Sequence, residues 1–414
     1  MKPPYDLLLR ECRLPDGRVA DLGCRAGRID AIGALAGRGS AREIRCEGRA
    51  VTSGLVDAHI HLDKALLNDR TPSREGSLAE ALRVTGAAKR SFTREDIQAR
   101  ARRVLDLAVR QGTTAMRSHV EVDPIVGLMG FQALADLKRE YAPAIDLQLC
   151  AFAQEGILQA PGTESLLREA LGAGADLVGG VPYNDTDARR HVDIVFELAA
   201  EFGVDADFHV DFFDEPLHLH ARYIVEETAR RGWQGRVALG HMSEMAALPP
   251  DEQEPFARAL AQSGVAVIVL PATDLYLMGR KDLRSTRRGL APVKRLLAAG
   301  VTVAAATNNV RNAFTPFGTA GLPLMGYLLG VAAHMGGQSE IEQALGMLTT
   351  QPARILRLPD YGLAAGCRAD FAVWEAERVE EIITALAPCH LVVKAGRVTV
   401  EHARTIEEPW RIRA

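Results

Sequence analysis

A closed barrel of eight parallel strands ringed by helices, with a small β-sandwich made from both chain ends, is the α/β fold class that this chain predicts. Three observations predict it. From about residue 50, apolar strand-like runs alternate with helical patterns, the rhythm of a parallel sheet. Eight such runs can be counted, the number that closes a (β/α)₈ barrel. At 414 residues the chain accommodates one such barrel, typically about 250 residues, plus an appendage.

The elements follow in order. Tyr5–Arg10, Val19–Cys24 and Arg28–Ile32 are short β-like pieces parted by turn residues such as Pro15-Asp16-Gly17. The barrel strands are expected at Ala50–Ala58, Thr113–Val120, Asp146–Phe152, Asp176–Val181, Val204–Val210, Arg236–Gly240, Val265–Leu270 and Val301–Ala306. Helical patterns lie between them at Arg94–Arg110, Gly127–Glu140, Thr163–Ala173, Asp187–Phe202, Ala221–Arg231, Pro249–Gln262 and Pro292–Ala299. Two helices are expected after residue 340, then strands at Asp370–Trp374, His390–Lys394 and Arg397–Val400. Residues 1–50 and 360–414 thus form the sandwich, and 51–359 the barrel.

Composition narrows the function. Charged residues make up 25% and hydrophobic ones 47%, the profile of a soluble globular protein. A net charge of −4, with no basic or amphipathic segment, argues against nucleic acid or membrane as partner. Six cysteines stand singly with no C-x-x-C, which disfavours a disulfide scaffold or a thiolate zinc site and fits a reducing cytoplasm. The N-terminus, M-K-P-P-Y-D, carries charge where a secretory signal needs an apolar run. No stretch reaches the roughly 18 apolar residues of a membrane helix.

Barrel enzymes place their chemistry at the C-terminal ends of the strands. The first strand ends in His59-Ile60-His61, and residues two apart on a strand face the same side. Two imidazoles so placed can grip one metal, and neutral imidazole suits zinc, iron, copper and nickel. Two surface histidines beside a turn would give the same string. Later strands end in His119, Gln154, Pro182-Tyr183-Asn184, His209 followed by Asp211, His241, and Thr307-Asn308-Asn309. Five of the eleven histidines therefore gather at one barrel face, and at least three are expected to share a metal. His119 reads equally well as a core histidine. His191, His218, His220, His334, His390 and His402 read as surface or structural.

At this point the chain resembles the amidohydrolase superfamily, in the branch of cytosine deaminases and N-isopropylammelide isopropylaminohydrolases. The carriers are V-D-A-H-I-H-L-D-K (56–64), A-M-R-S-H-V-E-V-D (115–123), D-L-Q-L-C-A-F-A-Q-E-G-I (146–157), D-L-V-G-G-V-P (176–182), F-H-V-D (208–211), N-N-V-R-N-A-F-T-P-F-G-T-A (308–320) and D-Y-G-L-A-A-G-C-R-A-D-F-A-V-W (360–374). The resemblance implies one divalent metal ion, zinc or iron, held by His59, His61 and His209. Strand four has no lysine to bridge a second metal. It implies that His241 polarises the attacked centre and that Gln154 hydrogen-bonds a heterocyclic substrate. His119, Phe212 and Phe314 are expected around that substrate, Phe314 where cytosine deaminases pack an aromatic on the base. Phe314 reads equally well as loop-core packing.

Two positions depart from the family pattern. Asn308 stands where the family has an aspartate that binds metal and takes the proton from water. Phe212 stands where cytosine deaminases have a proton-shuttling glutamate, which the isopropylaminohydrolases also lack. Activating water needs both a metal and a base. His241 is the better base; Asp211, Asp214, Glu215, Glu121 and Asp123 are the carboxylates near the mouth, with Asp211 taken as a catalytic residue. The leading expectation is a metal-dependent hydrolase of a C–N bond in a pyrimidine- or triazine-like small molecule, by deamination or dealkylamination, working as a homo-oligomer. The alternative is a diverged, inactive relative that binds such a ring, with Asn308 and Phe212 as its marks.

Overall fold

The computed structural model describes residues 5–403. The chain separates into two units, one from residues up to 54 together with those from 362 onward, the other from residues 55–361.

The smaller unit holds two four-stranded sheets. In the first, β1 (Tyr5–Arg13) pairs antiparallel with β2 (Val19–Arg25) and parallel with β4 (Ser40–Arg45), while β3 (Arg28–Gly33) edges β2. In the second, β5 (Val51–Ser53), β14 (Phe371–Trp374), β15 (Cys389–Lys394) and β16 (Arg397–Glu401) pair antiparallel. Alternating residues such as Leu7, Leu9 and Leu22 from one sheet, and Phe371, Val373, Leu391 and Val393 from the other, meet in one core. This is the period-2 burial of a sandwich.

One boundary differs from expectation. The run Ala50–Ala58 is two strands, because β5 pairs with β14 in the small unit and the barrel begins after Gly54. Apolarity alone cannot say which sheet a short run joins.

The larger unit is the eight-stranded parallel sheet. Its order is β13 (Val303–Ala305), β12 (Ala266–Val269), β11 (Val237–His241), β10 (Asp205–Val210), β9 (Leu177–Gly180), β8 (Asp146–Ala153), β7 (Thr113–Glu121) and β6 (Leu55–Ile60). The two edges meet: the Asn308 N–H donates to the His59 carbonyl at 2.8 Å, and the His61 N–H donates to the Asn308 carbonyl at 2.9 Å. Every residue of β7 is buried, as expected of a parallel strand covered on both faces. On β9, a Cβ at Gly179 would stand 2.0 Å from the Asp207 carbonyl oxygen, so only glycine lets the backbones approach.

Helices α1 (Leu78–Lys89), α2 (Arg94–Arg110), α3 (Met129–Tyr141), α4 (Thr163–Gly172), α5 (Ala188–Phe202) and α6 (His220–Arg230) flank the strands. Helix α2 shows why they form. Thr93 Oγ1 caps the Asp96 N–H at 3.2 Å, and Ile97, Ala101, Val104, Leu105 and Ala108 bury one stripe. Sequence reading missed α1, Pro271–Leu277 and Leu322–Ala332. For α1 a signal existed in Ser77-Leu78-Ala79-Glu80, a capping-box spacing, and Ser77 Oγ does accept the Glu80 N–H at 3.1 Å.

Inside the barrel, branched apolar residues share space with a buried ion pair. Arg117 donates to Asp207 Oδ2 at 3.0 Å, to Gln148 Oε1 and to the Ile355 carbonyl, and both charged groups are almost fully enclosed. Removing one partner of a buried pair strands the other charge. Arg117→Met is therefore expected to destabilise the protein by about 3–5 kcal/mol, read as a large fall in melting temperature; a shift under about 1 kcal/mol would mean the pair is not buried as described.

Candidate active site

The closing hydrogen bonds of the barrel carry the site. His59 and His61 end β6, His209 ends β10, and their ring nitrogens form one group within 4.8 Å of one another. Ring centroids of His59 and His209 are 4.4 Å apart, and of His61 and His209 5.1 Å. Burial, the largest cause, holds all three imidazoles well below their ordinary pKa, so they are neutral and able to ligate. His59 Nδ1 and Nε2, His61 Nδ1, His209 Nε2 and Asn308 Oδ1 are buried with no hydrogen-bond partner. Buried polar atoms are almost always paired, so this convergence of unpaired lone pairs fits a metal ion. Three imidazoles and an amide oxygen suit zinc or iron. Asn308 takes φ +57°, a left-handed conformation that asparagine tolerates.

Beneath the ligands, Asp57 accepts from Thr307 Oγ1 at 2.5 Å and from the His59 N–H at 3.3 Å. Burial pushes its carboxyl up to about 6. His119 stacks on His59 with centroids 4.0 Å apart, and its Nε2 lies 3.0 Å from Asp207 Oδ1. It is not among the residues that line the cavity. Both its ring nitrogens are buried without a hydrogen-bond partner, as those of His59 are.

A small pocket, partly open to solvent, lies over His61 and His209. His241 lines it, with φ +77° and its Nδ1 2.7 Å from Asp274 Oδ1. Asp274 is fully buried, and its Oδ2 accepts the Leu270 N–H at 3.2 Å. Burial, the largest cause, raises the Asp274 carboxyl pKa. Phe212 lies against His241 with centroids 3.8 Å apart. Phe212 and Phe314 belong to one apolar cluster with Ala81, Leu277 and Met278, so they form a wall. Gln154, 5% exposed, lines the opposite side and takes a hydrogen from Lys64 Nζ at 3.1 Å. Lys64 also donates to Glu121 Oε1 at 2.7 Å and lies 4.6 Å from the Phe314 centroid. Leu78 and Leu82 of α1 complete the wall.

The carboxylates near the mouth are all engaged elsewhere. Asp211 caps α6, accepting the N–H groups of His220 at 2.7 Å and Ala221 at 3.3 Å. Burial and then Glu244 push its carboxyl up to about 7, and it is not among the residues that line the cavity. The helix start claims its oxygens. Asp214 accepts the Gly279 N–H at 2.7 Å, and Glu215 pairs with Arg287 at 3.0 Å. Glu121, Asp123 and Glu155 surround the buried Lys89 ammonium. Burial acts to raise the Glu121 carboxyl, but Lys64 and Lys89 outweigh it and hold it low.

Sequence reasoning thus missed Lys64, Asp274 and Leu82. The K of H-L-D-K was a legible hint, whereas Asp274 gave none. One charge reading is also corrected: residues 279–289, G-R-K-D-L-R-S-T-R-R-G, carry five cationic side chains against one carboxylate.

The family model for the amidohydrolase family matches residues 42–400. The chain belongs to the amidohydrolase family. Among the amidohydrolases it resembles, N-isopropylammelide isopropyl amidohydrolase of Pseudomonas sp. (strain ADP) is 27% identical, over 97% of this chain and 98% of that protein. Pterin deaminase of Rhizobium rhizogenes is 28% identical over 83% of this chain and 79% of that protein. The crystal structure of 5-methylcytosine deaminase from Klebsiella pneumoniae, liganded with 5-fluorocytosine, superposes with a TM-score of 0.92 at 30% identity, covering 98% of this chain and 100% of that one.

Elemental analysis of protein purified without chelator is expected to find one divalent ion per chain, lost in His209→Ala. Asn308→Asp adds an anionic ligand and is expected to slow loss to a chelator by about 10–100-fold, the scale at which even outer partners of a metal act. Equal retention in both proteins would place residue 308 outside the metal's reach.

Proposed function

We propose that this amidohydrolase hydrolyses the bond between an exocyclic amino or alkylamino nitrogen and a ring carbon of a pyrimidine- or triazine-like heterocycle. The observation that carries it is the meeting of unpaired, buried ligand atoms on His59, His61, His209 and Asn308 with the Gln154 amide at one pocket. The activities named for the relatives, on ammelide, pterin and cytosine rings, support the same substrate class.

The four ligands would hold one zinc or iron ion. When bound, that ion supplies a Lewis acid that lowers the pKa of water and polarises the attacked centre. The remaining work belongs to side chains. His241 accepts the proton at Nε2, because Nδ1 is turned to Asp274. A carboxylate on Nδ1 fixes the tautomer and supports the imidazolium that forms. His241 then returns the proton to the departing nitrogen. The Gln154 amide offers a donor beside an acceptor and so reads an O=C–N–H edge. Phe212 and Phe314 border the flat faces of the ring.

A second reading, a ring-binding protein without turnover, has one observation in its favour. Among the described residues no carboxylate lines the cavity, so the acid base of the family pattern is missing. The six cysteines, all free, support a cytoplasmic location for either reading. No helix among the described residues is long and apolar enough to cross a membrane.

Release of ammonia or alkylamine from a panel of amino-pyrimidines and amino-triazines tests the proposal. His241→Asn is expected to lower turnover about 10²–10⁴-fold with metal content unchanged. Retained metal and ring binding without any release in the wild type would favour the second reading. Gln154→Ala is expected to weaken ring binding about 5- to 150-fold, the loss of a buried neutral hydrogen bond, with the metal in place. A large fall in melting temperature at unchanged affinity would instead make Gln154 a structural residue.

A further inference from the structure

We propose that the ring this site accepts is an anion: a planar oxo-heterocycle, acidic enough to carry a delocalised negative charge near neutral pH. This rests on the heterocycle reading above and adds the charge. The first observation is the composition of the cavity's inner layer. Among the described residues that line it, Lys64 is the one charged side chain, and no carboxylate is present. Its histidines His61 and His209 are neutral, and Gln154, Asn308 and Asn309 are amides. The anion that pairs with Lys64, Glu121, lies outside this layer, so the groups a ligand would meet include a cation and no carboxylate, a lining that favours an anionic ligand.

Lys64 is also placed to read such a ring. Its Nζ bonds Gln154 Oε1 at 3.1 Å and stands 4.6 Å from the Phe314 centroid, so it shares the edge and the face that would hold the ring. An ammonium has three hydrogens. Glu121 and Gln154 take two, and a ring oxygen would take the third. Glu121 pairs with Lys64 at 2.7 Å without lining the cavity, and it is shared with Lys89.

The second observation lies outside the inner layer and is independent of it. The segment Gly279–Gly289 carries Arg280, Lys281, Arg284, Arg287 and Arg288 against Asp282 alone. Arg287 is anchored by Asp282 and Glu215, while Arg284 and Arg288 are exposed and line a cleft of about 880 Å³ with Phe213 and Ser243. Met278, at the root of this segment, packs in the cluster that holds Phe212 and Phe314. In a chain of net charge −4 this segment is a local basic feature, lining a cleft with three arginines and the carboxylates Asp214 and Asp282, and such patches draw in ligands of opposite charge.

Binding of two matched probes decides the matter, with metal-loaded wild-type protein near neutral pH. Barbiturate is ionised there and uracil is not, and both present planar O=C–N–H edges. Calorimetry is expected to show barbiturate bound about tenfold or more tightly, the scale of a charge-assisted hydrogen bond. That margin shrinks as salt rises, and it vanishes in Lys64→Gln with metal content unchanged. Equal or tighter binding of uracil overturns the anionic class and leaves the heterocycle reading standing. Failure of both rings to bind overturns the heterocycle reading itself. Should Lys64→Gln not fold, Arg284→Ser with Arg288→Ser is expected to slow barbiturate association and spare that of uracil; equal effects on both would overturn the role of the basic segment.

Discussion

The pair of backbone hydrogen bonds between Asn308 and residues 59–61 is the contact on which the rest of the molecule turns. It brings the last strand against the first, so an open sheet becomes a ring. The same residues carry His59, His61 and the Asn308 amide oxygen. Closure and metal-ligand geometry are therefore one event. A sheet whose edges stayed apart would leave the ligand atoms on opposite ends of an eight-strand array. The 246 residues between His61 and Asn308 are organised so that two short segments can meet.

Charge in the barrel is arranged by the same logic. Buried charges are costly unless paired, and each carboxylate near the site has a partner that draws it away from the cavity. Asp207 is held by Arg117, Asp211 by the start of α6, Glu121 by Lys64 and Lys89, and Asp274 by His241. The surface that remains is made of imidazoles, amides, aromatic and aliphatic side chains and one ammonium. Asp274 reaches the cavity only through His241, whose Nδ1 it holds at 2.7 Å.

Much of this architecture was legible. The βα rhythm, the sandwich made from both ends, and His59, His61, His209, His241 and Gln154 could all be read because each is a local signal. Strand periodicity and the residue that follows a strand need no knowledge of distant chain. What was not legible has a shared cause. Helix α1 interrupts a segment with weak periodicity, and only its capping spacing betrays it. His119 ends a strand just as His59 does, but its ring lies against His59 and Asp207. Asp211 follows a ligand histidine, yet a left-handed backbone at φ +52° aims its carboxylate at the α6 N–H groups.

By itself, then, the sequence determined the strand count, the histidines at the strand ends and the neutral character of position 308, since these depend on residue type and short-range order. Only the tertiary structure decided which acids face the cavity, that Lys64 and Gln154 share one edge of it, and that Asp274 backs His241 from 33 positions away. Side-chain direction and long-range pairing are set by packing across the closed barrel. No local pattern in the chain encodes them.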